Sequence, residues 1–525
     1  MNARKGMSLA ALLTMGSVLL SRVLGLVREG LLASRLGTGL EADAYAVAFM
    51  LPDLLNTLLA GGFLSISFLP LFNRAASDEG TEASERFLGG VQMAMGGLGA
   101  VGIALLWIFA ETAVRRMQPD LALRADLGNP AAVAMLAKST ELARILLPGQ
   151  IAFLLAGAWN GAQYARKRFL YPALAPLVYN CGILAGGWFL APWMGAKGFA
   201  WGVLGGALGG HLLLQGFGAW RAGIRTRIPL ESDLPRLKAF AWRTLPLMLG
   251  LTLGFSSEFL LRRMAGALGT GAVAEVSYAF RLTMVLVAFF GQAAGVASYP
   301  YLVELAVAGK ARELNELLTG SIVRLFAYLL PACTLSIAMA PEMVALAFQR
   351  GQFSSHATSV VSLLFRVQVL CVLPWCIQIV FARAFYARGR FWSTAALGTA
   401  LVAVSWPLWN LLTLLWGKSG ASAGLVLLVA LEAVGFVVFW KRTYPGEFSI
   451  GPVLAKARLS LFLALAAGAV AYAAHFLPLP ALLRLCLGFG AGGSLYLSAG
   501  LGLGLEELDP VRQKLSNLLG RARRA

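Results

Sequence analysis

The chain has 525 residues, 58% of them hydrophobic and only 13% charged, with a formal net charge of +19. A soluble domain carries about 25% charged residues, so this composition excludes a water-soluble globule, and a mean hydropathy of +0.72 points to the bilayer. The basic excess does not call for nucleic acid as a partner, because cytoplasmic loops of membrane proteins collect Lys and Arg.

Apolar runs of about 20 residues, the length that crosses a bilayer, recur from end to end. The first expected span, 7–34, follows Arg4 and Lys5 in the manner of a signal peptide. It lacks a small-residue cleavage site and is interrupted by Arg22 and Arg28, so it is expected to stay in the membrane. Spans 42–72, 86–113 and 136–164 follow. The last of these contains Lys138, Glu141 and Arg144, whose spacing predicts neutralisation along one helix face. Spans 169–193 and 197–220 are rich in glycine, and Gly205, Gly206, Gly209 and Gly210 are expected at a close helix contact. Spans 240–265, 273–303, 314–340, 355–386, 391–415 and 420–440 form a second set of six. Spans 456–476 and 479–503 complete fourteen, ahead of a basic tail containing Arg512, Lys514, Arg521, Arg523 and Arg524.

An internal repeat organises this list. Leu36-Gly37-Thr38-Gly39 returns as Leu268-Gly269-Thr270-Gly271, and an acid follows at the same distance in both, Asp43 and Glu275. Six spans lie between the copies, so the two halves share one orientation, a known transporter plan with the substrate between the halves. The expected fold is an all-α polytopic membrane protein of about 14 transmembrane helices, with two six-helix pseudo-symmetric lobes plus two C-terminal helices. The lobes are expected at 1–225 and 226–445, the two additional helices at 446–505 and the basic cytoplasmic tail at 506–525. Lys and Arg concentrate in one set of loops, including Arg166-Lys167-Arg168, Arg388 and Arg390, and Lys441-Arg442. That bias places both termini in the cytoplasm.

Three arginines stand out. A charged residue at a helix centre costs about 2.5–3.5 kcal/mol on insertion scales. Arg22, Arg28 and Arg281 each lack an acid three or four positions away that would offset the cost. Arg22 and Arg28 are about 120° apart around a helix and about 9 Å apart along it. Arg281 occupies the second half's counterpart of span two and is expected to face them across a central cleft. Pairing with Asp43, Asp53, Glu29 or Glu258 is the structural alternative for any one of them. Three converging cations ask for an anion, and the planar guanidinium fork suits phosphate oxygens. Arg324 and Arg366 are further intramembrane arginines with no assigned role.

Little else suggests chemistry. Cys181, Cys333, Cys371, Cys376 and Cys486 lie in apolar stretches without zinc-site spacing, and His211, His356 and His475 are scattered; all eight are expected to be structural. Gly417-Lys418-Ser419 ends like a P-loop but lacks its first glycine. No cofactor, metal or enzymatic activity is expected.

The segment from Ser21 to Phe72 closely resembles the MurJ/MviN family of lipid II flippases, within the MOP exporter superfamily. The matching stretches are Ser21-Arg22-Val23-Leu24-Gly25 with Arg28, Ala42-Asp43-Ala44-Tyr45, Phe49-Met50-Leu51-Pro52-Asp53-Leu54-Leu55 and Phe68-Leu69-Pro70. Tyr278-Ala279-Phe280-Arg281-Leu282, Phe348-Gln349-Arg350-Gly351-Gln352-Phe353 and Ala384-Phe385-Tyr386-Ala387-Arg388 extend the likeness. The resemblance implies substrate-binding roles for Arg22, Arg28, Arg281, Asp43 and Glu29, and alternating access for lipid II in the bacterial inner membrane. It also implies a polyprenyl tail that stays in lipid along the last two helices. Membrane lipids and cell-wall synthesis proteins are the other expected partners. The chain departs from the family at Asn56, where another arginine is common, and at Gly61 and Met284, where acids are common. A flippase for another polyprenyl-linked glycan and a non-transporting scaffold of the wall-synthesis machinery are the alternatives. Glu258 and Asp53 are intramembrane acids able to bind a coupling cation, with structural pairing as the competing role.

Overall fold

The computed structural model describes residues 2–60, 68–242, 244, 257–445, 448, 451–509 and 512–513, all helix, turn or coil, with no strand among them. Gly61, residues 243 and 245–256 of the seventh expected span, and the tail from Lys514 onward lie outside the described residues. Among the described residues, eight helices are long and apolar enough to cross a membrane, or nine if one bent pair is counted as a single span.

Helices α1 (Asn2–Leu36), α2 (Leu40–Ala48), α3 (Met50–Ala60) and α4 (Leu69–Asp78) cover the first two expected spans. The expected span 42–72 is thus broken at Phe49. Pro52, in the first turn of α3, has no N–H to return to the carbonyl of Ala48. Helices α5 (Thr81–Ile108), α6 (Ala110–Met117) and α7 (Pro119–Asp126) lead to α8 (Pro130–Ala165) and α9 (Leu170–Met194). Next comes α10 (Ala196–Gly206), continued by wide π turns over Ala207–Leu214 and by Gln215–Arg221. The second half holds α11 (Ser257–Gly266), α12 (Ala272–Val307), α13 (Ala311–Ala338) and α14 (Ala340–Phe348). It goes on through α15 (Ser355–Val369), α16 (Val372–Ala387), α17 (Phe391–Thr443), α18 (Gly451–Ala473) and α19 (Ala481–Gly502). The bent pair is α15 and α16, which meet at 40°. Two expected spans share α17, which turns sharply at Gly417.

That turn repeats an earlier one. Gly195, ahead of α10, has φ 56° and ψ −133°, and Gly417 has φ 55° and ψ −129°. Both are left-handed values open mainly to glycine. An acid from the start of an earlier span braces each turn. Glu41 accepts the Ala196 N–H and pairs with Lys138 at 2.9 Å, while Glu275 pairs with Lys418 at 2.6 Å. The P-loop-like tripeptide is therefore a helix hinge.

By compactness the chain forms two units, Met1–Ala274 with Ala347–Ser354, and Glu275–Leu346 with Ser355–Ala525. The first unit ends well beyond the expected lobe boundary at residue 225, because α11 is tied into it. The Arg262 guanidinium reaches Asp53 at 3.1 Å, and its carbonyl accepts the Gln118 amide at 3.1 Å. In the first unit α9 and α10 touch through glycines: a Cβ on Gly206 or Gly210 would meet the carbonyl of Tyr179 or Ala175 at 2.5 and 2.6 Å. Gly205 and Gly209, expected at the same contact, face away from it with no atom closer than 3.7 Å, because residues one position apart on a helix point about 100° apart. In the second unit α18 and α19 dock on α13 through Leu335, Met339, Ala464, Ala467, Ala471 and Tyr496. The Tyr496 hydroxyl donates to the Ala327 carbonyl at 2.6 Å.

Candidate functional site

The α1 arginines differ in setting. Arg22 is exposed and Arg28 half-buried. Arg28 donates from Nη2 to Glu29 Oε1 at 2.6 Å and from Nη1 to Asn180 Oδ1 at 3.3 Å. Adjacent residues do not share a helix face, yet the long Arg28 and Glu29 side chains curl together, an ion pair that the i±3 and i±4 search did not find. Asn180, on α9, is 6% exposed and is itself fixed. Its amide nitrogen donates to the Ser21 hydroxyl at 3.2 Å and to the Pro176 carbonyl at 3.0 Å. A buried amide joins the residue before Arg22 to Arg28 and sets the guanidinium's direction. Sequence reasoning missed Asn180, and the signal was a lone amide in an otherwise apolar span.

Asp43 is fully buried, with both carboxylate oxygens engaged. Oδ1 accepts the Ala274 N–H at 2.7 Å and Oδ2 accepts the Gly271 N–H. These are amides at the start of α12, left without intrahelical partners, and a carboxylate there also complements the helix dipole. Arg281 lies further along that helix, half-buried, within Tyr278-Ala279-Phe280-Arg281. Phe280 is 2% exposed and its ring sits 6.1 Å from that of Trp375 on α16.

Of the acids named as alternative partners, Glu29 pairs with Arg28, Asp43 takes two backbone amides, and the other two meet a different arginine. Asp53 and Glu258 both bind Arg262, which is 3% exposed in its side chain. The cluster expected on α8 does not form. Lys138 pairs with Glu41, Glu141 with Lys197, and Arg144 donates to the Trp107 carbonyl at 3.3 Å with its guanidinium over the Trp107 ring. Interhelical partners win there because α8 is packed on several sides, and its long side chains reach neighbouring helices as readily as their own next turn. Arg366 donates to the Ile337 carbonyl at 3.0 Å, and Arg324 is exposed and bonds its own helix at Gly320. Among the described residues no group of His, Cys, Asp or Glu is arranged to hold a metal.

A second built contact holds the loop after α14 against α1. The Gln352 N–H donates to the Ser34 carbonyl at 2.9 Å. Gly351 and Gly37 both have φ +58°. A Cβ on Gly351 would lie 2.3 Å from the Ser34 carbonyl oxygen, and one on Gly37 would lie 2.8 Å from that of Gln352. Phe348 and Phe353, both buried, flank this loop with rings 5.8 Å apart.

The family described as "Lipid II flippase MurJ" matches residues 32–484. Over 517 residues, 95% of this chain and 94% of its relative, the sequence is 26% identical to a "Probable lipid II flippase MurJ" of Rhizobium meliloti (strain 1021). It is 28% identical to a "Lipid II flippase MurJ" of Burkholderia cenocepacia over 391 residues, 72% of this chain and 73% of that one. Among solved structures, a lipid II flippase MurJ in an inward closed conformation superposes with a TM-score of 0.77 at 18% identity, covering 94% of this chain and 99% of the other. An inward-facing multidrug resistance MATE transporter of the MOP superfamily superposes at 0.64 with 17% identity, covering 83% and 96%, a likeness of fold alone.

Proposed function

Because the chain belongs to the lipid II flippase MurJ family, we propose that it carries lipid II across the inner membrane by alternating access, with Arg22, Arg28 and Arg281 holding the pyrophosphate. The fold is that of a multi-pass membrane transporter, and flipping of the peptidoglycan precursor is the activity its relatives are named for.

One observation carries the reading: Arg28 is a fixed, partly open guanidinium on a membrane helix. Glu29 and Asn180 hold it while 22% of its side chain stays exposed. A loose cation at membrane depth costs free energy without giving direction, whereas an oriented fork presents paired N–H donors to phosphate oxygens. Arg22, exposed on the same helix, adds charge without a fixed geometry. Glu29 and Asn180 orient Arg28. Asp43 acts as a positioning residue, since its carboxylate is occupied by the first amides of α12, the helix that bears Arg281. The polyprenyl tail remains in lipid, where each buried methylene is worth about 0.8 kcal/mol. The positive-inside bias supports cytoplasmic termini.

The test is rescue of a flippase-depleted cell, read by the accessibility of lipid II at the periplasmic face. Arg28→Ala and Arg281→Ala are expected to insert normally and to fail to restore accessibility while lipid II synthesis continues. Retained rescue by both variants overturns the pyrophosphate role.

A further inference from the structure

Six carboxylates are buried among the described residues: Asp43, Glu85, Asp233, Glu275, Glu342 and Glu432. Asp43 takes two backbone N–H groups. Glu85 meets Arg166 and Arg227, and Asp233 meets Arg86 and Arg236. Glu275 meets Lys418, and Glu342 meets His475 and Arg484. Glu432 differs from all of these. It lies in the second half of α17, 2% exposed, and its hydrogen-bond partner is the neutral amide of Gln378 on α16, whose Nε2 donates to Oε2 at 3.0 Å.

We infer that Glu432, held by Gln378, is a proton-binding site of the second unit, protonated in this conformation and emptied when α12, α16 and α17 repack. Its consequence for transport rests on the function proposed above; the site itself does not.

The surroundings carry the argument. One turn away on α17 stand Leu428 and Val429, both fully buried, with Gly435 and Phe436 on the other side. The titratable groups of the helices packed against this stretch are spent elsewhere. Arg366 on α15 bonds the Ile337 carbonyl, and His356 lies exposed at that helix's start. On α16, Arg383 has a partner of its own, Tyr386 stacks on Phe391, and Arg388 stacks on Trp440 and Tyr444. Cys376 is a buried thiol. On α17 itself Lys418 belongs to Glu275. Among the described residues, none of these charged side chains forms an ion pair with Glu432.

A carboxylate stripped of water with no cation beside it costs several kcal/mol, and such a group takes up a proton instead. A metal cation is the wrong occupant. Hard cations need several oxygen ligands, while here a single carboxyl faces an amide turned with its N–H groups inward. The proton has an exit, because Gln378 is only half-buried. On release the carboxyl O–H bond breaks, the electron pair stays on Glu432 and water takes the proton.

The site also touches the helix of the proposed substrate arginine. Phe280, next to Arg281, meets Trp375, one turn before Gln378. Movement of α12 therefore bears on the α16 face that covers Glu432, which couples exposure of the carboxyl to the position of Arg281.

The experiment is infrared spectroscopy of the full-length protein in lipid, comparing wild type with Glu432→Gln, a near-isosteric stand-in for the protonated acid. Wild type is expected to show a protonated-carboxyl C=O band at neutral pH that Glu432→Gln lacks. Gln378→Leu is expected to shift that band to higher frequency by removing the amide donor, and it serves where Glu432→Gln fails to insert. A wild-type spectrum without the band, or a band unchanged in Glu432→Gln, overturns the site. Periplasmic lipid II accessibility measured across external pH is expected to lose its pH dependence in Glu432→Gln. A purely packing role leaves that dependence intact and overturns the coupling. Failure of the arginine variants to behave as proposed leaves the infrared result standing, so the two readings fail separately.

Discussion

Asp43 on α2 and Ala274 at the first turn of α12 are joined by a 2.7 Å hydrogen bond across 231 residues of sequence. With the Gly271 amide as second donor, one side chain closes the start of the helix that carries Arg281. Asp43→Ala leaves two buried amides unpaired, each worth about 1–3 kcal/mol. The purified variant is expected to melt several degrees below wild type in a thermal-shift assay. Asp43→Asn keeps one acceptor and is expected to fall between the two.

Arg28 depends on Asn180 for its direction, so Asn180→Ala is expected to cut lipid II accessibility in the rescue assay while Arg28 remains in place. Arg28→Lys keeps the charge but lacks the fork that reaches Glu29 and Asn180 together. It is expected to rescue less well than Asn180→Ala. Equal rescue by Arg28→Lys and wild type removes the argument for an oriented fork.

Gly351 has a left-handed backbone and lies against the Ser34 carbonyl. Gly351→Ala adds a conformational cost of about 1–2 kcal/mol and forces the loop off α1. Loss of the protected Gln352 amide in hydrogen exchange, together with a lower melting temperature, is the expected signature. Gly128→Ala, also at positive φ but with nothing within 4 Å, is expected to show the backbone cost without the loosened loop.

Glu342, 1% exposed, receives His475 Nδ1 at 2.7 Å and lies 3.5 Å from Arg484 Nε. These contacts tie α14 to the turn after α18 and to the first turn of α19. Glu342→Ala leaves Arg484 without its counter-charge, and removal of one partner of a buried pair costs about 3–5 kcal/mol. The last two helices are expected to become protease-sensitive. His475→Ala, with the Arg484 pair intact, is expected to cost less.

Much of the architecture was legible beforehand because apolar length is a local property. Repeated apolar runs marked the membrane helices. The matching hinges at Gly195 and Gly417 went unseen. A glycine's dihedral angles leave no mark on hydropathy, and the flanking residues, Gly195-Ala196-Lys197 and Gly417-Lys418-Ser419, differ too much to align by eye. The search for arginine partners at helical spacing also missed the Arg28–Glu29 pair, and it predicted a local cluster on α8 that the structure breaks into interhelical pairs.

The sequence by itself determined that this is an all-helical membrane transporter of the lipid II flippase family, with arginines placed where charge is costly. Only the tertiary structure decided what those charges meet. Asp43 closes a helix rather than facing an open site, Arg262 absorbs Asp53 and Glu258, and Glu432 stands beside an amide with no cation. The division has a physical cause. Burial preference is set residue by residue along the chain, whereas an ion pair or a hydrogen bond is set by which helix arrives opposite, often more than a hundred positions away.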